Sequence, residues 1–111
     1  MNQKTLVDYQ TSEGKRPFKE WLYSRTIDVK TRARILTRLN RLSLGNPGDC
    51  EPVGYGVFEL KIDLGPGYRI YFAYQGSEIV ILISGGDKST QRKDIQKAIE
   101  CWIDLKRRTP S

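Results

Sequence analysis

The spacing of apolar residues predicts that the chain begins with a strand and continues with two helices. Residues 4–9 mix β-branched and aromatic types and predict the strand, which a polar turn at residues 11–14 ends. Pro17 suits the first position of a short helix, and Asp28 suits the N-cap of a longer one that stops at residues 45–48. The longer helix is expected to bury one apolar stripe, formed by Val29, Ala33, Leu36, Leu39 and Leu42.

The second half of the chain predicts three strands and a last helix. Residues 57–64 alternate between apolar and polar, residues 68–74 are rich in β-forming types, and residues 78–84 are largely apolar. A helix is expected from Ser89, with an apolar side formed by Ile95, Ala98, Ile99, Trp102 and Leu105. The order β-α-α-β-β-β-α indicates an α+β fold with a mainly antiparallel sheet, an N-terminal helical hairpin and a C-terminal helix. We expect helices on one face of the sheet and an open second face for a ligand.

Size and charge limit the classes of protein to consider. The 111 residues and 12.8 kDa predict one domain over residues 1–111. The 19 lysines and arginines exceed the 13 acidic residues, for a net charge of +6, and this balance favours polyanionic or acidic partners. No apolar run approaches the roughly 20 residues of a membrane span, and the N-terminus lacks a secretory core. We therefore expect a cytoplasmic protein without a membrane partner.

The scarcity of metal-binding residue types restricts the chemistry. The chain has no histidine and two cysteines, Cys50 in an expected loop and Cys101 on the last helix. A zinc site is therefore not expected, and the glycine pairs fall short of a nucleotide-binding motif. We predict no metal and no cofactor, so that any reaction uses lysine, arginine, tyrosine or carboxylate groups.

Alternation along the strands gathers candidate catalytic residues on the face expected to be open. Lys61, Arg69 and Tyr71 are predicted to share that face, and Lys88 approaches from the neighbouring strand end. Arginine can hold two phosphate oxygens, and the pKa of a lysine among other cations can fall toward neutrality. Such a cluster could stabilise the phosphate and move protons when the 2′-hydroxyl of RNA attacks its own backbone.

The same residues also have a structural interpretation. Glu59 or Asp63 could pair with Arg69 across the strands, with Tyr71 covering exposed backbone. Asp87 is expected to cap the last helix and not to take part in chemistry.

A second basic surface lies on the longer helix. Arg34, Arg38 and Arg41 stand on neighbouring helical turns, and the helix has no acidic residue among its cations. With Lys93 of the last helix, these arginines are candidate RNA-binding residues. Their alternative roles are a solvated helix face or a contact with an acidic protein partner.

Three motifs occur together at characteristic intervals. They are FELKI at residues 58–62, GPGYRIYF at 65–72 and GGDKSTQ at 85–91, followed by Asp94-Ile95 and Ala98. This combination resembles the HigB-like addiction-module killer proteins of the RelE/ParE toxin superfamily. The resemblance covers nearly the whole chain in element order and is most specific over residues 57–98.

The resemblance implies a compact toxin that is commonly encoded beside a helix-turn-helix antitoxin and acts on mRNA positioned on the ribosome. By this resemblance, Lys61 and Arg69 match basic strand positions associated with RNA cleavage, Tyr71 is a weaker match, and Lys88 belongs to the subgroup motif. Some relatives use a histidine or tyrosine near the C-terminus, and the last helix here has neither.

We therefore expect a type II toxin that is an mRNA interferase, a ribosome-dependent endoribonuclease that inhibits translation. Two alternatives stay open at this stage. A toxin of the same fold could inhibit DNA gyrase without catalysis, since one fold hosts several functions. A phage-derived relative could serve only as a binding protein.

Overall fold

The computed structural model describes residues 3–109, and a five-stranded sheet organises this part of the chain. The strands are β1 (Thr5–Asp8), β2 (Cys50–Gly54), β3 (Val57–Ile62), β4 (Tyr68–Gln75) and β5 (Ile79–Asp87). They lie in the order β1-β5-β4-β3-β2, with β1 parallel to β5 and the other neighbours antiparallel. The predicted α+β fold is confirmed. The domain predicted over residues 1–111 includes residues 1–2 and 110–111, which lie outside the described part.

Three helices and one 3₁₀ turn complete the described residues. The helices are α1 (Pro17–Leu22), α2 (Val29–Ser43) and α3 (Gln91–Arg108), and the 3₁₀ turn is Lys88–Thr90. The Asp28 side chain caps α2 by accepting a hydrogen bond from the Thr31 backbone N–H at 2.8 Å, as predicted. Within residues 3–109, none of the helices combines the length and the apolar character that crossing a membrane requires.

Strand β2 was expected to be a loop, and this prediction is wrong. It pairs with β3 at the edge of the sheet, where Cys50 lies opposite Leu60. The sequence obscures the strand because Pro52 lies within it and most of its residues are exposed, both of which are typical of edge strands. A two-residue turn, Tyr55-Gly56, joins it to β3 with positive φ at both positions, the backbone of a type I′ hairpin.

Helices cover both faces of the sheet, so the expectation of one open face is wrong. On one face, α1 and α2 pack on alternate strand residues; this core includes Phe18, Leu22, Ile35, Leu39, Leu42, Leu60, Ile62, Ile70 and Phe72. On the other face, α3 forms a second core with the intervening residues; it includes Val57, Tyr71, Ala73, Ile81, Ile83, Ala98 and Trp102. Sequence periodicity identified which residues share a face, but it did not reveal that α3 lies over the second one.

The apolar stripe predicted for α2 is only partly buried. Leu39 and Leu42 enter the core as predicted, together with Thr31 and Ile35. Val29 is 76% exposed, and Ala33 and Leu36 also face solvent. The helix carries two apolar stripes with the same helical spacing, and packing against the sheet selects the one that contains Ile35.

Gly85 and Gly86 lie within β5 at a point where both faces of the sheet are closely covered. A Cβ atom at Gly85 would overlap the indole ring of Trp21 from α1, and one at Gly86 would overlap the carboxylate of Asp94 from α3. The two glycines therefore bring α1 and the start of α3 close to the strand. This packing fixes where the chain leaves the sheet toward Lys88.

Candidate active site

A cleft of about 290 Å³ lies where β3 and β4 meet the end of β5. Three cations line it, and they come from three different elements: Lys61 from β3, Arg69 from β4 and Lys88 from the 3₁₀ turn. The remaining lining residues are Asp49, Ile62, Asp63, Gly65, Pro66 and Gly67. The volume is near the lower end of the roughly 300–1,000 Å³ that small-molecule sites occupy. Three of the four predicted catalytic residues therefore meet at one opening.

Strand pairing explains this convergence. Lys61 lies directly opposite Arg69 in the β3–β4 pair, and Arg69 lies opposite Gly86 in the β4–β5 pair. The chain then turns at Asp87 and presents Lys88 beside Gly67, a glycine with φ of 80°. Gly67 suits this turn because its positive φ is unfavourable for other residues.

Lys61 forms an ion pair at the surface. Its Nζ lies 2.8 Å from Oε1 of Glu51 on β2, and the lysine side chain is 32% exposed. The hydrogen bond to Glu51 raises the pKa of Lys61 and lowers the pKa of Glu51. The sequence-based hypothesis that neighbouring cations lower the pKa of Lys61 is therefore wrong, because β2 supplies a carboxylate that was not anticipated. Lys61 stays protonated at neutral pH and contributes charge.

Arg69 is held mainly beneath the surface, with only 12% of its side chain exposed. Its Nη1 lies 3.9 Å from Oε1 of Glu59, which is within ion-pair distance but too long for a hydrogen bond. Among the described residues, neither Nε of Arg69 nor Oε1 of Glu59 has a hydrogen-bond partner. The guanidinium is thus attracted to the carboxylate without forming a hydrogen bond to it, and its buried Nε is left without a partner within residues 3–109.

Tyr71 is completely buried beneath α3, so its prediction as a catalytic residue on an open face is not supported by its position. Its hydroxyl donates a hydrogen bond to Oε2 of Glu59 at 3.1 Å. Burial raises the pKa of Tyr71, and the nearby Glu59 carboxylate raises it further. A tyrosine with a raised pKa and no solvent access is unsuited to move protons at neutral pH.

Glu59 is a site residue that sequence analysis considered only as a structural partner of Arg69. The carboxylate is fully buried and accepts hydrogen bonds from Tyr71 and from Nε2 of Gln91 at 2.9 Å. The available signal was its position two residues before Lys61, on the same face of β3. Its burial depends on α3, whose placement the sequence pattern did not reveal.

Lys88 is exposed at the mouth of the cleft. Within residues 3–109 it forms no ion pair with an acidic side chain. The neighbouring Asp87 caps the 3₁₀ turn, as its oxygen accepts hydrogen bonds from the backbone N–H of Ser89 at 2.8 Å and from the Ser89 hydroxyl at 2.5 Å. The bonds to Ser89 lower the pKa of Asp87. Asp87 was expected to cap the last helix, but it caps the 3₁₀ turn that leads into α3, whose own N-cap residue is Thr90.

The arginines of α2 line a groove of about 480 Å³ that adjoins the cleft. Arg34, Arg38 and Arg41 lie along it, and the groove shares Ile62 and Asp63 with the cleft. Arg34 and Arg41 are exposed. Arg38 differs from them because it is half-buried and bonded to the backbone, donating to the carbonyl of Lys61 at 2.6 Å and to that of Pro47 at 3.2 Å.

Lys93 lies apart from the other three predicted RNA-binding residues. It lines a separate depression at the start of α3 with Ser89, Thr90, Arg92 and Gln96. The structure therefore brings the α2 arginines next to the cleft and places Lys93 on a different surface.

Cys50 and Cys101 are free and half-buried, and burial raises the pKa of each thiol. Raised pKa values leave both cysteines as weak nucleophiles at neutral pH. Within residues 3–109, no group of three or more histidine, cysteine, aspartate or glutamate residues is arranged to hold a metal ion.

Comparison with known proteins places these features in a family. The model for the family described as "Phage derived protein Gp49-like" matches residues 22–102, which include β2 to β5 and the cleft cations. The chain belongs to the Gp49-like family. A relative from Haemophilus influenzae (strain Rd) is 49% identical over 81 residues, covering 73% of this chain and 81% of the relative, and it is described as an uncharacterized protein. The family match spans the cleft region of this Gp49-like protein.

The Gp49-like family lies in the RelE/HigB-like group of toxins, and the five-stranded α+β architecture is consistent with the RelE-like fold. The resemblance found in the sequence is therefore confirmed at the level of this group. The match is to Gp49-like proteins and not to HigB itself.

Proposed function

We propose that this Gp49-like protein is the toxin of a type II toxin–antitoxin module and that it inhibits translation by cleaving mRNA on the ribosome. The observation that supports the proposal most strongly is the convergence of Lys61, Arg69 and Lys88 on one cleft. Three cations around one opening suit a phosphodiester whose negative charge increases as the bond breaks.

In the proposed reaction, the guanidinium of Arg69 binds the scissile phosphate. Its Nε is buried, but its contact with Glu59 at 3.9 Å is too long for a hydrogen bond and leaves the Nη donors for phosphate oxygens. Lys61 adds a second positive charge across the strand pair, and its raised pKa keeps this charge at neutral pH. These two residues stabilise the phosphate.

Proton transfer needs a different group, because Tyr71 is buried and Lys61 is paired with Glu51. Lys88 stands exposed on the cleft, and a protonated amine can donate to the departing 5′-oxygen. We therefore assign this step to Lys88. The ribosome would orient the 2′-hydroxyl for attack on the phosphorus. The bond from phosphorus to the 5′-oxygen breaks as the bond to the 2′-oxygen forms, and the proton of the 2′-hydroxyl passes to solvent water.

The groove on α2 offers a path for RNA beyond the cleft. Arg34 and Arg41 are exposed there, and the groove meets the cleft at Ile62 and Asp63. Contacts to phosphates give affinity without base specificity, which suits a nuclease that depends on the ribosome for positioning. Lys93 would contact RNA from the separate surface on α3.

The test is cleavage of mRNA during translation in vitro by the wild-type protein, Lys61→Ala, Arg69→Ala and Lys88→Ala. Lys19→Ala removes an exposed cation that does not line the cleft and serves as the matched control. We expect cleavage by wild type and the control, and a loss of about 100-fold or more for Arg69→Ala. Full cleavage by all three cleft variants, each verified to be folded, would eliminate this site.

The same proteins distinguish the alternatives. A gyrase inhibitor would block DNA supercoiling and leave transcripts intact, whereas a protein that only binds a partner would change neither activity. We also propose a cytoplasmic site of action and a helix-turn-helix antitoxin as partner. An adjacent gene for such a protein, whose co-expression restores growth, would support the partner; growth inhibition unaffected by any neighbouring gene product would contradict it.

A further inference from the structure

We infer that Glu59 is a positioning residue that holds two of the cleft cations in place, Arg69 through charge and Lys88 through the start of α3. What those cations do rests on the proposed function, whereas the positioning itself can be measured without it. Three observations carry the inference: the burial of Glu59, its geometry toward Arg69 and its hydrogen bond to Gln91.

Among the residues that the structure describes, Glu59 is the one acidic side chain that is buried. Moving a carboxylate out of water costs several kcal/mol, and a nearby cation with good hydrogen bonds must offset this cost. An apolar residue would fill this place in the core of Tyr71 and α3 at lower cost. The buried carboxylate is better explained by its contacts with Arg69 and Gln91, which it holds in position.

Glu59 contacts two groups near the cleft, and each contact is called an arm below. The first arm is the contact with Arg69. The Glu59 carboxylate lies 3.9 Å from Nη1 of Arg69, and the arginine side chain is only 12% exposed. Three buried polar atoms lack hydrogen-bond partners within residues 3–109, namely Oε1 of Glu59, Nε of Arg69 and Oγ of Ser84. Glu59 thus restrains the guanidinium by charge without using its donors. An arginine held in this way loses less conformational entropy when it binds a phosphate.

The second arm reaches the turn that carries Lys88. Oε2 of Glu59 accepts a hydrogen bond of 2.9 Å from the side chain of Gln91, which is the first residue of α3 and the C-cap of the 3₁₀ turn. The other end of this turn is fixed by the Asp87 cap. Lys88 therefore stands on a three-residue turn that is anchored at both ends, and one anchor is Glu59.

Glu59→Gln tests the first arm because it preserves shape and removes the charge. Tyr71→Phe is the matched control, since it removes a hydrogen bond from the same carboxylate but leaves the contact with Arg69. The direct readout is the ¹⁵Nε–¹Hε signal of Arg69 in NMR spectra of the full chain. We expect its order parameter to fall in Glu59→Gln and to stay at the wild-type value in Tyr71→Phe. An unchanged value in Glu59→Gln would overturn this arm, whether or not the protein cleaves RNA.

A double-mutant comparison tests whether Glu59 acts through Arg69. Glu59→Gln should lower the cleavage rate by about 10-fold to 100-fold, as removal of a supporting partner does at other sites. In an Arg69→Lys background the same change should cause little further loss, because the group that it positions is already altered. An equal loss in both backgrounds would contradict the inference. Thermal unfolding of each variant verifies that the assay temperature lies below the transition.

Gln91→Met tests the second arm. It also keeps the inference testable if Glu59→Gln does not fold. It keeps the length of the side chain and removes the donor to Glu59. We expect slower cleavage by Gln91→Met, no further loss when Gln91→Met is added to Lys88→Ala, and an unchanged Arg69 NMR signal. Cleavage at the wild-type rate by Gln91→Met, in a protein whose wild type is active, would overturn the connection to Lys88.

Discussion

Lys61 faces Arg69 across the β3–β4 pair, and each of these two cations has its own carboxylate partner. Two like charges directly opposite each other would destabilise the strand pair, so the carboxylates offset their repulsion. The two partners differ in environment, because Glu51 is 56% exposed and Glu59 is buried. Under the proposed function, an incoming phosphate would displace the outer carboxylate, while the inner one would stay in place.

Replacing Glu51 with Gln should strengthen RNA binding. The change removes the partner that competes with phosphate for Lys61, and because an exposed ion pair is weak, the gain in affinity should not exceed about fivefold. Binding of a single-stranded RNA oligonucleotide, measured by fluorescence anisotropy, provides the value. Glu78→Gln, next to the turn at the far end of β4, is the control for the change in net charge. Equal gains in both variants would mean that Lys61 does not contact the RNA.

Tyr71→Phe should lower stability without changing the chemistry. The buried hydroxyl donates to Glu59, and leaving that oxygen with one donor fewer should cost about 1–3 kcal/mol of unfolding free energy. Urea denaturation measures this cost. Because burial raises the pKa of Tyr71, the pH profile of mRNA cleavage should keep its wild-type shape. If Tyr71→Phe instead removed one limb of that profile, Tyr71 would be shown to take part in proton transfer.

Substituting the two glycines of β5 should have unequal effects. Gly85→Ala places a methyl group against the ring of Trp21, which is partly buried and packs against the core, and should destabilise the protein by about 1–3 kcal/mol. Gly86→Ala meets the carboxylate of Asp94, which can rotate away at the expense of its hydrogen bond with Thr90, so its cost should be smaller. Chemical denaturation of both variants checks the order, and the reverse order would contradict the proposed packing.

The exposed arginines of α2 should each contribute to the salt dependence of RNA binding. Arg34→Ala and Arg41→Ala should each reduce the slope of log K against log salt by about 0.7 if the side chain contacts one phosphate. Lys19→Ala is the control and should leave the slope unchanged. Identical slopes for all these variants would remove the α2 groove from the RNA path.

Arg38 should behave differently from the other α2 arginines, because its two bonds to backbone carbonyls join α2 to β3 and to the loop before β2. Arg38→Lys keeps the charge but loses the fork of donors that makes both bonds. We expect a lower urea midpoint with little change in the salt slope. A changed slope at unchanged stability would show instead that Arg38 contacts RNA directly.

Capping by Asp28 should give a pH-dependent contribution to stability. The hydrogen bond to Thr31 lowers the pKa of Asp28 below its ordinary 3.8 in the folded protein. A lowered folded-state pKa means that the stabilisation is fully present above 3.8 and is lost as the pH falls through the folded value. Asp28→Ala should thus unfold at lower urea than wild type at neutral pH, and the difference should shrink in acid. A difference that is constant with pH would exclude the carboxylate as its source.

The hydrophobic pattern was sufficient to predict most of the fold. The positions of α1, α2, β3, β4 and β5 follow from local periodicity and from turn residues, which depend on neighbours in sequence. Pro52 and the exposed residues around it concealed β2, since an edge strand needs few apolar side chains. The prediction of the buried stripe on α2 was partly wrong for a different reason. The helix has two apolar stripes, and helical spacing alone does not determine which one meets the sheet.

The candidate site was predicted in part for the same reasons. Alternation correctly placed Lys61 and Arg69 on one face, and their direct opposition follows from the β3–β4 register. The burial of Tyr71 and Glu59 depends on α3 lying over that face, which is a long-range contact with no local signature. The Glu51 partner of Lys61 was missed together with β2. Errors about the chemistry therefore followed from errors about neighbouring elements.

The parallel pairing of β1 with β5 has a consequence for the synthesis of this protein. Among the described residues, β1 pairs only with β5, so the sheet remains incomplete until Ile79–Asp87 have been synthesised. Such late pairing is characteristic of slow, topologically demanding folding. A nascent chain would therefore carry β1 unpaired while the residues between β1 and β5 are translated, and the cleft at the end of β5 would form only after that delay.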